Sequence, residues 1–176
     1  GGHSGSPHLL NDTVLIASHI IVALQQVISR NKNPEFPSVL SFGKMEALGA
    51  TNIIPNEVKI AGTFRAMNET WRKEAHELIT RIAKGTAESM GAVCDVNISV
   101  GYPYLENHPE LTQRARTFAT EYVGAENIVE LAMTMGAEDF SYYSQEMPAC
   151  FYRLGTRNEA KGITSYVHTP TFNIDE

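Results

Sequence analysis

What most constrains this chain is the order in which the spacing of its apolar residues changes. Leu15, Ile16, Ile20, Val22, Ala23 and Val27 recur at helical spacing, Val39-Leu40-Ser41-Phe42 and residues 58–65 alternate as strands do, and Trp71, Ala75, Leu78, Ile79, Ile82 and Ala83 return to helical spacing. Residues 93–100 then alternate once more. Asp12 or Thr13 can cap the first helix and Pro34 and Pro37 end it; Asn68 or Thr70 can open the second, with Gly91 as its stop. With a short opening strand at Gly2, the order is strand, helix, strand, strand, helix, strand. That βαββαβ order is the split βαβ, ferredoxin-like pattern of an α+β domain, in which an antiparallel sheet carries both helices on one face. Residues 1–103 are expected to form it.

Beyond Tyr102-Pro103-Tyr104 the texture changes. A helix is expected from Pro109 to Val123, a short strand at 128–131, a Gly136 turn with a brief helix, a strand at 150–154, and a polar loop after which Asp175 and Glu176 read as opening a helix. These pieces do not supply a closed core, so residues 104–176 read as part of a larger unit, with a boundary between Tyr102 and Glu106. At 176 residues and 43% hydrophobic the chain is long enough to bury a sizeable core elsewhere. Fourteen basic against twenty acidic residues leave a net charge of −6, which disfavours nucleic acid and anionic membrane surfaces as partners. The longest apolar run, from Val14 to Leu24, is broken by Ser18 and His19 and falls short of the roughly 20 residues a membrane span needs, so none is expected. Cys94 and Cys150 lie far apart in apolar stretches and read as small hydrophobes, which fits a reducing, cytoplasmic setting. The start at Gly1 carries neither an initiator Met nor a signal-peptide pattern, so the sequence is expected to continue upstream.

Five segments carry residues with chemical use. Gly1-Gly2-His3-Ser4-Gly5-Ser6-Pro7-His8 sets two imidazoles in a glycine-rich loop, where one can donate a hydrogen bond to a developing oxyanion or bind a metal; the same residues also read as a solvated entry loop. Thr51 to Asn56 reads as a turn. Arg65 ends a strand, where a guanidinium can hold a carboxylate through two parallel hydrogen bonds or simply face solvent. Glu138 and Asp139 follow Gly136 at the start of a short helix, a placement that helix electrostatics alone would favour. His168 precedes a Pro-containing turn and suits a metal ligand on a rigid loop, but one His is no metal site. HxH, HxxxH, HxD and CxxC spacings are absent.

Taken together, the segments resemble the M20 family of metallopeptidases and its amidohydrolase branch of aminoacylases, hippurate hydrolases and IAA-amino acid hydrolases. The opening resembles that branch's GGHxxxPH, Asn52-Ile53-Ile54-Pro55 and Gly62-Thr63-Phe64-Arg65 its N-x-IP and G-T-x-R pair, Gly136-Ala137-Glu138-Asp139-Phe140 its G-x-E-D-F, and His168-Thr169-Pro170-Thr171-Phe172 its H-[ST]-P-x-F. The resemblance implies a ferredoxin-like lid and dimerisation domain at 1–103, followed at 104–176 by the C-terminal portion of a split α/β zinc-peptidase-like catalytic domain. It places the HxD or CxH segment, the paired glutamates and a further metal ligand upstream of Gly1. The complete enzyme is expected to be a homodimer that uses two divalent ions, zinc or manganese, to hydrolyse the amide of an N-acyl amino acid or small peptide. These 176 residues alone are expected to be inactive. By the same resemblance His3 stabilises the oxyanion in the partner's site, Asn52 and Arg65 hold substrate, Glu138 lines the site, and His168 is a metal ligand. A different class of function, a ferredoxin-like binding or dimerisation module without catalysis, predicts the same missing ligands.

Overall fold

In the computed structural model, which describes residues 1–175, the Asp12 carboxylate accepts the backbone N–H of Leu15 at 2.9 Å and opens helix α1 (Thr13–Leu24). A π-type turn, Val27–Asn31, extends it. The whole run Thr13–Asn31 has 19 residues and is long and apolar enough to pass for a membrane span by length and composition, contrary to the shorter run seen in the sequence. One stripe of it packs into the core: Ile16, Ile20, Leu24 and Val27 are buried in one cluster with the second helix and a sheet.

Strand β2 (Ser38–Glu46) pairs antiparallel with strand β4 (Lys59–Ala66), from Ser38 opposite Ala66 to Glu46 opposite Lys59, with a bulge at Gly43. Leu40, Phe42, Ile60, Phe64 and Ala66 turn toward the helices. The Asn68 side chain accepts the N–H of Trp71 at 2.8 Å and starts helix α2 (Glu69–Ser89). At its end Gly91 takes φ 78°, and the N–H groups of Gly91 and Ala92 bond the carbonyls of Glu88 and Ala87, the Schellman arrangement that glycine permits. Trp71, Ala75, Ala83 and Ala87 of α2 complete the core; the Trp71 indole meets Phe64 edge-on and donates to Ser38 Oγ at 3.1 Å.

The last expected strand of this unit is only half realised. Ala92, Cys94 and Val96 alternate inward against the core, as the sequence pattern requires, but residues 93–100 form no ladder. Alternation decides which side of a segment is buried, whereas a strand also needs a neighbour with free N–H and C=O groups. The described residues therefore hold two two-stranded sheets, β2–β4 and a short pair at the amino end, instead of one four-stranded sheet.

In the C-terminal region helix α3 (Pro109–Val123) has the expected bounds and starts with proline. His108 is its cap, its Nδ1 accepting from Leu111 N. Asn107 exchanges two hydrogen bonds with the backbone of Phe151, at 2.7 and 2.8 Å, and His108 N donates to Ala149 O. Helix α4 (Ser141–Glu146) is the brief helix expected after Gly136. The strands expected at 128–131 and 150–154 form no ladder, and Val129, Leu131, Tyr152 and Leu154 lie exposed. Asp175 sits in a loop, where its carboxylate accepts from Asn158 and Lys161 and opens no helix; Glu176 lies outside the described residues.

Candidate functional site

Two candidate residues 49 positions apart are brought together by the smallest sheet. Strand β1 (Gly2–His3) pairs antiparallel with strand β3 (Ile53–Ile54), and Ser4 N donates to Asn52 O at 3.0 Å. Ala50 and Ile53 exchange backbone hydrogen bonds of 3.0 and 3.1 Å, which leaves Thr51 and Asn52 at the tip of a tight turn. Residues 51–56 carry the sequence of a turn, and the only local sign of the strand beside it is the Ile-Ile step before Pro55. Glycine is needed on the facing strand: a Cβ on Gly1 would lie 2.4 Å from the Ile54 carbonyl oxygen, and Gly2 has φ 151°.

His3 is exposed, and its Nδ1 accepts the N–H of Gly5 at 3.0 Å. In the neutral imidazole that bond puts the proton on Nε2, so the outward nitrogen is a donor. His8, in the 3-10 turn Pro7–Leu9, is exposed as well.

Arg65 sits near the far end of β4, opposite Val39 and on the sheet face turned away from the helices. Its guanidinium has no ion-pair or hydrogen-bond partner among the described residues. The near end of β4, at Lys59, lines one cleft with Gly1, Ile53 and Pro55. Six residue steps of strand lead from Lys59 to Arg65, about 20 Å at 3.3 Å per step. Arg65 thus stands at the opposite end of β4 from the Lys59 end, where Gly2 and Ile53 of the small sheet line the cleft.

The C-terminal region adjoins the Arg65 end. Tyr104 donates its N–H to Glu69 of α2 at 3.1 Å and accepts at its carbonyl from Gln145 of α4 at 3.0 Å, while Tyr102 meets Tyr142 of α4 edge-on. Glu138 is half-buried just before α4, and its Oε1 accepts Phe140 N at 3.3 Å, which organises the entry to that helix. His168 is exposed with φ 65°, the one non-glycine positive φ among the described residues; such a conformation costs about 1–3 kcal/mol and is held here by the turn Tyr166 to Phe172. No hydrogen bond joins His168 to the other candidates, and no three His, Cys, Asp or Glu side chains among the described residues come together to hold a metal ion. His168 is thus at most one ligand of a site whose other ligands it does not find among them.

The structure divides the candidates into two groups, His3 with Asn52 at one end of the sheet and Arg65 with the Glu138 segment at the other. Comparison with known proteins agrees with the motifs. The chain is 33% identical to thermostable carboxypeptidase 2 of Saccharolobus solfataricus, covering 100% of this chain and 44% of the relative. It is 32% identical to N-acetyldiaminopimelate deacetylase of Lactococcus lactis, covering 100% and 46%. Its fold matches the crystal structure of a dinuclear metal binding peptidase of the M20 family from Bacillus subtilis with a TM-score of 0.69 and 26% identity, over 93% of this chain and 41% of that one. The chain spans less than half the length of each. The model of peptidase family M20/M25/M40 matches residues 1–176 from end to end, and the chain belongs to that family.

Proposed function

We propose that the complete protein hydrolyses the amide bond of an N-acyl amino acid or small peptide, and that these residues supply its lid and the end of its catalytic domain. The names of the relatives, a carboxypeptidase and a deacetylase, describe amide cleavage. Residues 1–103 are the ferredoxin-like lid. In support, the outer edge of β4 carries no strand among the described residues, and the alternating segment at 92–98 packs on the same helices without a ladder, so one further strand between them would complete the sheet. Residues 104–176 belong to the catalytic domain, whose two divalent ions, zinc or manganese, would supply an activated water when bound; His168 would be one ligand.

The observation that carries this reading is the separation of the two residue groups. Arg65 stands at the end shared with the C-terminal region and grips the substrate carboxylate in its own copy's site. His3 and Asn52 stand exposed at the opposite end and serve the site of a second copy. There the Nε2–H of His3 donates to the oxygen that gains charge as the carbonyl is attacked, and the Asn52 amide orients the acyl group. Glu138 holds the entry of α4 beside the site. The outer edge of β2 and the exposed Leu15 and Val22 of α1 offer the surface through which two lids would join.

Loss of one oxyanion donor typically costs about 100- to 1000-fold in kcat, so His3→Ala in the complete enzyme should fall in that range with metal content intact. Mixing that variant with one inactivated at the upstream general base should restore activity, because one site of the mixed dimer then holds both groups. A mixture that stays inactive after confirmed subunit exchange would rule out action across the dimer.

A further inference from the structure

The geometry points to Glu69 and Arg72, on the first turn of α2, as positioning residues that fix the Arg65 end of the lid against α4; this rests on the substrate-binding role proposed for Arg65. The Arg72 side chain is only 16% exposed. Its Nη1 donates to the carbonyls of Gly101 at 3.2 Å and Tyr102 at 2.9 Å, and its Nη2 pairs with the Glu69 carboxylate. The other Glu69 oxygen accepts the N–H of Tyr104 at 3.1 Å. One ion pair thus satisfies three backbone groups flanking Pro103, which has no N–H of its own.

The same short segment is held from the opposite side by α4. Gln145 Nε2 donates to the Tyr104 carbonyl at 3.0 Å, and the Tyr142 ring packs edge-on against Tyr102 with centroids 5.8 Å apart. Residues 101–104 therefore form a bar gripped between α2 and α4. On the α2 side the grip passes directly to the sheet: Asn68 caps the helix, Ala66 at the end of β4 is buried, and Arg65 precedes it. On the α4 side it passes to Glu138 through the hydrogen bond to Phe140. A planar fork with several fixed donors suits this task, since it must reach two carbonyls and a carboxylate at once, whereas an ammonium is a single point of charge. An exposed i,i+3 pair would contribute little, but removing a mostly buried guanidinium leaves two carbonyls and a carboxylate without their donor.

Two measurements test this separately from the proposed activity. In the complete protein, Arg72→Met should raise the rate of limited proteolysis within residues 101–106 about tenfold, with Arg72→Lys in between, because cleavage follows the population of the opened segment. Glu69→Gln, which preserves volume, should also raise it. Unchanged cleavage in the folded variants would refute the clamp. In the complete enzyme, Arg72→Met should raise KM about tenfold for a substrate with a free carboxylate, leave kcat nearly unchanged, and affect the matching amide far less. Equal losses on both substrates would refute the positioning role. A complete enzyme that cleaves no amide at all would count against the proposed function, while the proteolysis result would still decide the clamp.

Discussion

Helices α2 and α3 are built from the same local parts and meet different fates. Each has a capping side chain, Asn68 or His108, an acidic residue in its first turn, Glu69 or Glu110, and an amphipathic sequence. Yet α2 buries Trp71, Ala75, Ala83 and Ala87, and α3 buries none of its residues. The difference lies in what faces them. α2 has α1 on one side and the β2–β4 sheet below, so its stripe closes a core, whereas α3 is tied to the 149–151 segment mainly by hydrogen bonds from Asn107 and His108. Among the described residues beyond 103 the buried positions are Ser141 and Ala149, and the apolar side chains of Phe118, Tyr122, Leu131, Tyr152 and Leu154 stay exposed. An amphipathic helix is stabilised chiefly by the layer it packs on, and caps alone do not provide one.

The largest test of that contrast compares two aromatic truncations. Trp71→Ala removes a buried indole with an edge-on partner and a hydrogen bond, and should cost about 3–5 kcal/mol of unfolding free energy. Phe118→Ala, at a side chain 63% exposed, should stay within about 0.5 kcal/mol. Comparable losses in denaturant titrations would mean that the two regions share one core. A smaller difference separates the caps: Asn68→Ala should cost about 1 kcal/mol, since α2 unfolds with the core. His108→Ala should leave that transition in place and increase amide exchange in the first turn of α3 alone. Exchange that is equally slow in both helices of the parent protein would break the comparison.

Local chemistry made much of this legible in the sequence. Asp12, Asn68, Gly91 and Pro109 mark helix ends because capping acts over three or four residues, and the caps and turns are formed as expected. The core face of 92–98 was legible too, because alternation survives without a ladder. Its status as a strand was not legible, nor was that of 128–131 and 150–154, because pairing depends on a neighbour that no local pattern contains. The same limit applies at the site. The candidate residues stand in recognisable motifs, but their division between the two ends of β4 follows from the pairing of β1 with β3 and the length of β4. The Glu69–Arg72 clamp joins residues 29 to 35 positions apart and left no trace beyond an i,i+3 charge pair.

The smallest expected effect separates the two regions by pH. His76 of α2 packs edge-on against Phe64; burial, and then the Arg72 charge, hold its pKa below the usual 6.5 against a weaker opposing pull from Glu69. The folded state therefore favours the neutral ring. Stability from this residue is complete above pH 6.5 and is lost as pH falls through the depressed folded value, because the unfolded chain takes up the proton first. Asp175 in the C-terminal region behaves likewise in a lower window: hydrogen bonds from Lys161 and then Asn158 hold its carboxyl below 3.8, so the contacts it closes are lost only under stronger acid. Acid titration followed by residue-resolved NMR should thus disturb the α2 core first and the loop joining Asn158 to Asp175 second. His76→Gln should flatten the first step and leave the second unchanged. If the loop opened together with the α2 core, or if His76→Gln moved both steps, the two regions would be coupled far more tightly than their burial indicates.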